Sequence, residues 1–128
     1  MTGLAKKLGV KPGHHVALIG APRGWSVPDL PEAVTTVRKA DTRASVTVAF
    51  FHARDDLAVA IPALADAIFP DASLWIAWPR KAAGHISDID ENGIRDLALP
   101  LGIVDIKVAM IDNDWSGLKF VWRRDRRS

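Results

Sequence analysis

Between Ala44 and Phe51 the chain places Val46, Val48, Phe50 and Phe51 in a short β-rich run that does not alternate strictly between apolar and polar residues. Such a strand has to be covered on both faces, which puts it at the centre of a sheet. Two further apolar runs fit beside it. Val16-Ala17-Leu18-Ile19 follows the turn signal Lys11-Pro12-Gly13, and Leu74 to Trp78 is stopped by Pro79.

The stretches between these runs predict the connections. After the first strand, Gly20, Pro22 and Gly24 break the pattern, and Pro28 and Pro31 leave room only for a short helical piece before Thr35-Thr36-Val37. After the central strand, Asp55 and Asp56 are positioned to cap a helix whose Leu57, Ile61, Leu64 and Ile68 share one face. Pro62 lies inside that helix, and an interior proline costs about 3 kcal/mol, which predicts a kink or a restart. Pro70-Asp71 closes it, and a loop follows from Arg80 to Asp90. A helix starting near Asp90 or Glu91 carries Ile94, Leu97 and Ala98 on one face and stops before Pro100 and Gly102. The last two strands, Ile106 to Ile111 and Leu118 to Trp122, are joined by Asp112-Asn113-Asp114-Trp115-Ser116-Gly117.

Strands separated by helices pair in parallel through right-handed crossovers, and the tightly joined last pair adds an antiparallel C-terminal edge hairpin. The expected fold is therefore α/β, a three-layer Rossmann-like arrangement around a mostly parallel sheet of about six strands. Loops at the carboxyl ends of the parallel strands should gather on one rim, bringing Gly20 to Trp25, His52, Pro79 to Lys81 and Asp112 to Ser116 together.

The length of 128 residues fits one domain, read as 1–122, followed by a basic tail over 123–128. The longest apolar stretches fall far short of the roughly 20 residues a spanning helix needs. Met1 to Val10 shows no secretory pattern, so cytoplasmic residence and no membrane partner are expected. The absence of cysteine excludes a disulfide framework, a thiolate nucleophile and cysteine zinc sites. The tail sets Arg123, Arg124, Arg126 and Arg127 against Asp125, more than the whole net charge of +2. Such a run is read first as a solvated end, with nucleic acid as its other partner.

Leu8-Gly9-Val10-Lys11-Pro12-Gly13-His14-His15-Val16-Ala17-Leu18-Ile19-Gly20 resembles the opening of class I methyltransferases that use S-adenosylmethionine. The resemblance implies a trimmed methyltransferase-like topology, with Gly20, Pro22 and Gly24 at the cofactor turn. This chain departs from that pattern. Leu18 stands where the family has an acid, and Pro22 replaces the middle glycine, removing a backbone donor and adding bulk. Asp41 lies about 20 residues beyond Gly20, where an acid commonly binds ribose hydroxyls. Between Ala40 and Thr42 it reads first as a good turn residue. A second resemblance spans nearly the whole chain. Leu4-Ala5-Lys6-Lys7-Leu8-Gly9, Leu74-Trp75-Ile76-Ala77-Trp78-Pro79-Arg80-Lys81 and Trp115-Ser116-Gly117-Leu118-Lys119-Phe120-Val121 look like domain of unknown function 3052. That family implies a bacterial source and supplies no catalytic residues.

The side chains with chemistry are few. His14 and His15 are adjacent and point to opposite faces of an extended chain, so they cannot hold one metal together. His52, at the end of the central strand, is the better candidate for a general base, beside its plain reading as a hydrogen-bonded rim residue. His85, Ser87 and Asp88 share a loop, but residue types alone do not make a triad. Trp78, Pro79, Arg80 and Lys81 place an aromatic and two cations at a strand end, suited to a base or a phosphate. Asp112, Asn113 and Asp114 offer oxygen ligands for a cation, but turn formation explains them first, and no metal is assigned. Trp115 and Ser116 set the loop shape. Trp25, Trp115 and Trp122 are expected to be partly exposed, and Leu118 to Trp122 is the expected edge for pairing with a second copy as a homodimer. The reading that emerges is a non-catalytic binding or regulatory module. A cofactor- or nucleotide-binding enzyme of methyltransferase ancestry is the alternative, and a nucleic-acid-associated protein using the arginine tail the third.

Overall fold

The two apolar layers the sequence calls for lie on opposite faces of one six-stranded sheet in the computed structural model, which describes residues 3–127. The elements run in the order α1 (Leu4–Leu8), β1 (His15–Ile19), β2 (Thr35–Val37), β3 (Val46–Phe50), α2 (Arg54–Ile68), β4 (Ser73–Pro79), α3 (Glu91–Ala98), β5 (Ile103–Met110) and β6 (Trp115–Trp122), with short 3-10 turns between them. The strand order is β2-β1-β3-β4-β6-β5. The β1, β2, β3 and β4 strands are mutually parallel, and β6 runs antiparallel to both of its neighbours. The α/β, mostly parallel, Rossmann-like expectation holds, and every residue of β3 is buried, as a central strand requires.

One face is packed by α2 and α3. Leu57, Ile61, Leu64 and Ile68 meet Leu74, Ile76 and Trp78 from β4 and Leu118 and Phe120 from β6. The other face is closed by the five-residue α1 and by residues 20–34, which contain no helix. There Ala5, Leu8 and Val27 cover Val16, Val48, Phe50 and Trp75. The short helical piece expected before Thr35 is therefore missing: three prolines within residues 22–31, at 22, 28 and 31, repeatedly break the run of backbone donors a helix needs.

Three other expectations need correcting. The helix does not restart at Pro62: one helix spans Arg54–Ile68 with Pro62 inside it. Pro62 sits on the exposed face, where the carbonyl it leaves unpaired can meet solvent. Asp55 and Asp56 occupy the first turn but make no side-chain cap; Asp88 Oδ1, from the loop before α3, accepts the Arg54 N–H at 2.8 Å. Asp90 does cap α3, accepting from Gly93 N at 2.7 Å. Finally, the last strand is not the sheet edge. The β6 strand inserts between β4 and β5, so Leu118 to Trp122 has no free edge to offer a second copy. The β5 strand is the edge, carrying exposed Ile106, Val108 and Met110, and it is interrupted by an irregularity between Asp105 and Lys107. Both hairpin strands begin three residues earlier than the sequence suggested, at Ile103 and Trp115.

Candidate functional site

The carboxyl ends of β1, β3 and β4 bring several expected rim residues together. A hollow of about 280 Å3 opens between Gly20 and Pro22 after β1, His52 after β3, and Pro79 with Trp115 at the paired ends of β4 and β6. His85 and Asp114 complete its wall. Trp115 forms the floor: its ring meets Phe50 edge-on at 5.0 Å and His52 at 5.1 Å. It is buried, not partly exposed as expected, because β6 starts with it and its ring points into the core layer under residues 20–34. Trp25 and Trp122 are half-buried.

Strand alternation divides the rest of the rim. Pro79 pairs with Trp115 and Trp78 with Ser116, so consecutive residues face opposite sides of the sheet. Trp78, Arg80, Lys81 and Ser116 consequently line a separate hollow of about 370 Å3 against the start of α3. Trp78 belongs to the core layer beneath α2 and α3. Arg80 is committed to the neighbouring loop, donating from its backbone N–H to the Asp114 carbonyl at 2.8 Å and from its guanidinium to the Asn113 carbonyl at 2.7 Å.

The turn between β5 and β6 is held from within. One oxygen of Asp112 accepts the N–H groups of Asp114 and Trp115 at 2.8 and 2.9 Å, and its other oxygen accepts Trp25 Nε1 at 2.9 Å. Both oxygens are thus used structurally, and among the described residues no group of three metal-ligating side chains forms. The loop histidine has found a different partner from those beside it in sequence. His85 Nε2 lies 2.9 Å from Asp114 Oδ1, while Ser87 donates to the His52 carbonyl at 2.7 Å and Asp88 caps α2. No Ser-His-Asp arrangement exists there; a His-Asp pair facing the hollow does. His85 and Asp114 were missed as a pair because they lie 29 positions apart and only the β4–β6 pairing unites their loops.

The cofactor-turn residues are explained by the chain itself. A Cβ on Gly20 would lie 2.9 Å from the Phe50 carbonyl, so this glycine lets β3 approach β1. Gly24 has a positive φ in a turn closed by Trp25 N–H donating to the Pro22 carbonyl at 2.9 Å. Asp41 is at the opposite end of the sheet from Gly20. It accepts from His15, the first residue of β1, at 3.0 Å and from the Arg43 guanidinium at 3.0 and 3.1 Å. The five residues of β1, from His15 to Ile19, put Gly20 about 16 Å of extended chain away from His15, so Asp41 cannot reach a ribose at the rim. The Arg43 side chain first, then its backbone N–H and His15, hold the Asp41 carboxyl well below the usual carboxylate range. The residues present therefore depart from the methyltransferase pattern for S-adenosylmethionine: Pro22 offers no N–H, and Asp41 is engaged by His15 and Arg43 at the opposite end of the sheet.

His15 also contacts Thr35 Oγ1 through its other ring nitrogen, giving a hydroxyl-imidazole-carboxylate line with Asp41. The line fastens β2 to β1, where His15 and Thr35 are paired in the sheet. The tail arginines are exposed but tethered. Arg123 N–H donates to the Gly102 carbonyl at 3.0 Å, Arg123 pairs with Asp125 at 3.3 Å, and Arg127 donates to the Trp122 carbonyl at 2.9 Å. No helix among the described residues is long and apolar enough to cross a membrane.

No protein-family model matches the chain, and no curated protein sequence matches it. Solved structures do resemble it. Magnesium protoporphyrin IX methyltransferase from Synechocystis PCC 6803, solved with bound S-adenosylmethionine, aligns with a TM-score of 0.63 at 15% identity, over 94% of this chain and 74% of that one. A ribosomal protein L11 methylase from Lactobacillus delbrueckii subsp. bulgaricus gives 0.60 at 12%, over 94% and 76%. A putative methyltransferase from Thermoplasma acidophilum gives 0.55 at 7%, over 90% and 70%. At these identities the likeness establishes a shared fold, the methyltransferase-type Rossmann arrangement, and that alone.

Proposed function

We propose that this chain puts a methyltransferase-type fold to use as a small-ligand binding domain, seated at the rim hollow and carrying out no methyl transfer. The observation that carries the reading is at the end of β1: Gly20 is filled against the Phe50 carbonyl, Pro22 faces the hollow without a donor, and Asp41 is engaged at the far end of the sheet. The hollow itself suits a compact, partly apolar ligand. Its volume of about 280 Å3 is just under the range of ordinary small-molecule pockets, which begins at about 300 Å3. Pro22, Pro79 and Trp115 supply apolar wall, and His52 with the His85–Asp114 pair supplies polar groups at one side.

The second reading is a cofactor-binding enzyme of methyltransferase ancestry. It is favoured by the structural neighbours, one of them holding S-adenosylmethionine, and by the position of the hollow at the carboxyl ends of β1 and β3. Calorimetric titration with S-adenosylmethionine, S-adenosylhomocysteine and adenine nucleotides separates the two. We expect no heat from any of them; saturable heat that disappears in Pro22→Trp would replace the first reading by the second.

Kinship with domain of unknown function 3052 is part of the same proposal. Its two most distinctive segments, Trp78-Pro79-Arg80-Lys81 and Trp115-Ser116-Gly117, lie side by side through the Trp78–Ser116 and Pro79–Trp115 pairs. Residues that set the rim floor and its two hollows are reasonable carriers of a family signature.

A further inference from the structure

A larger groove lies at the other end of the sheet, where β3 and β4 begin and β6 ends. Its volume is about 580 Å3, within the range of small-molecule sites. The Gly9–Lys11 turn forms one wall, and the segments leading into β3 and β4 form the other. Lys119 reaches it from an interior strand, between Trp75 of β4 and Lys107 of β5. Its ammonium stands 5.9 Å from the centre of the Trp75 ring and close against Gly9, where an added Cβ would come within 3.0 Å of Nζ. Among the described residues no carboxylate pairs with Lys119. Burial, and then repulsion from Lys107 and Lys11, push its pKa down from the ordinary lysine value.

A half-buried cation among like charges is unfavourable unless an anion shares the space. The groove contains one acid, Asp71, and its other charged side chains are Lys11 and Arg43, the latter bound to Asp41. Ser45 and Ser73 border it as well. Lysine ammonium groups act as point charges toward phosphate, and hydroxyls add neutral donors. We propose that this groove is a binding site for a small phosphate-bearing molecule, with Lys119 as the central cation and Lys11 at the entrance. It is independent of the rim hollow and stands or falls without it.

The test is an amide NMR titration of the whole chain with inorganic pyrophosphate, at constant ionic strength set with chloride. Saturable shifts should be confined to Gly9, Lys11, Ser45, Ser73 and Lys119. Lys119→Met should weaken binding roughly tenfold or more, the loss of one charged hydrogen bond, and Lys11→Gln by less. Arg124→Gln, in the tail, should leave it unchanged. Absence of shifts at millimolar pyrophosphate, or equal affinity in Lys119→Met and Lys11→Gln, overturns the proposal. If Lys119→Met does not fold, an unchanged affinity in Lys11→Gln alone overturns it. A short single-stranded oligonucleotide that binds the same residues more tightly than pyrophosphate would assign the groove to nucleic acid and also overturn it.

Discussion

The two faces of the sheet bury comparable sets of apolar residues but are covered by different means. Under α2 and α3 the cover is regular: a 15-residue and an 8-residue helix lay continuous apolar stripes on β4 and β6. Over the other face the cover is α1 plus an irregular segment tied down at single points. Trp25 is fastened to Asp112 and packs edge-on against Phe50 at 4.8 Å, and Asp29 accepts the Ala5 N–H at 2.9 Å. A parallel sheet needs both faces kept dry, but it does not need helices to do so. Cover built from a few side-chain ties is easier to open locally than cover built from helices. The rim hollow lies on this second face, so the proposed ligand seat and the more easily opened cover coincide.

This contrast breaks most severely at the helical face. Phe120→Ala removes a fully buried ring beneath α2 and α3 and should lower stability by about 3–5 kcal/mol, read from the denaturant midpoint at unchanged slope. Asp112→Ala removes an acceptor for three N–H groups and should cost about 1–2 kcal/mol. Its sharper readout is hydrogen exchange, with faster exchange at residues 20–34 and no change in α2. Equal acceleration in both would mean the two covers open as one unit and would end the comparison.

A smaller gain is expected on the helical face. Thr47, buried in β3, has a hydroxyl with no partner in the described structure, so Thr47→Val should raise stability by about 1 kcal/mol in thermal unfolding. The smallest effect belongs to the β1–β2 edge and to acid. Arg43, through its side chain first, and His15 lower the Asp41 pKa in the folded state. The resulting stabilisation is present above the ordinary carboxylate pKa of about 3.9 and is lost as pH falls below it toward the lowered value. Asp41→Asn should flatten that part of the acid limb in a pH series of melting temperatures; an unchanged limb would show that Asp41 is not coupled to folding.

The elements whose pattern is local were legible in the sequence. The apolar run from Val46, the one-sided helix of Leu57, Ile61, Leu64 and Ile68, and the helix start near Asp90 all follow from neighbours a few positions away. What was not legible depends on partners distant in the chain. Leu118 to Trp122 reads as a terminal strand, yet its place inside the sheet follows from pairing with both β4 and β5. Asp41 has the right separation from Gly20 for a ribose contact, but separation along the chain does not say at which end of the strands a turn lies. The gathering of Gly20, Pro22, His52, Pro79 and Trp115 was readable because strand ends in a parallel sheet share a side. The His85–Asp114 pair and the half-buried Lys119 were not, because only strand register creates them.

The insertion of β6 between β4 and β5 has a consequence for the order in which the chain can assemble. The β5 strand touches the sheet only through β6, so synthesis of residues 103–110 adds nothing to the sheet until residues 115–122 have also emerged. A chain shortened before Trp115 would lose two strands, not one, and would uncover the full length of β4 as a new edge.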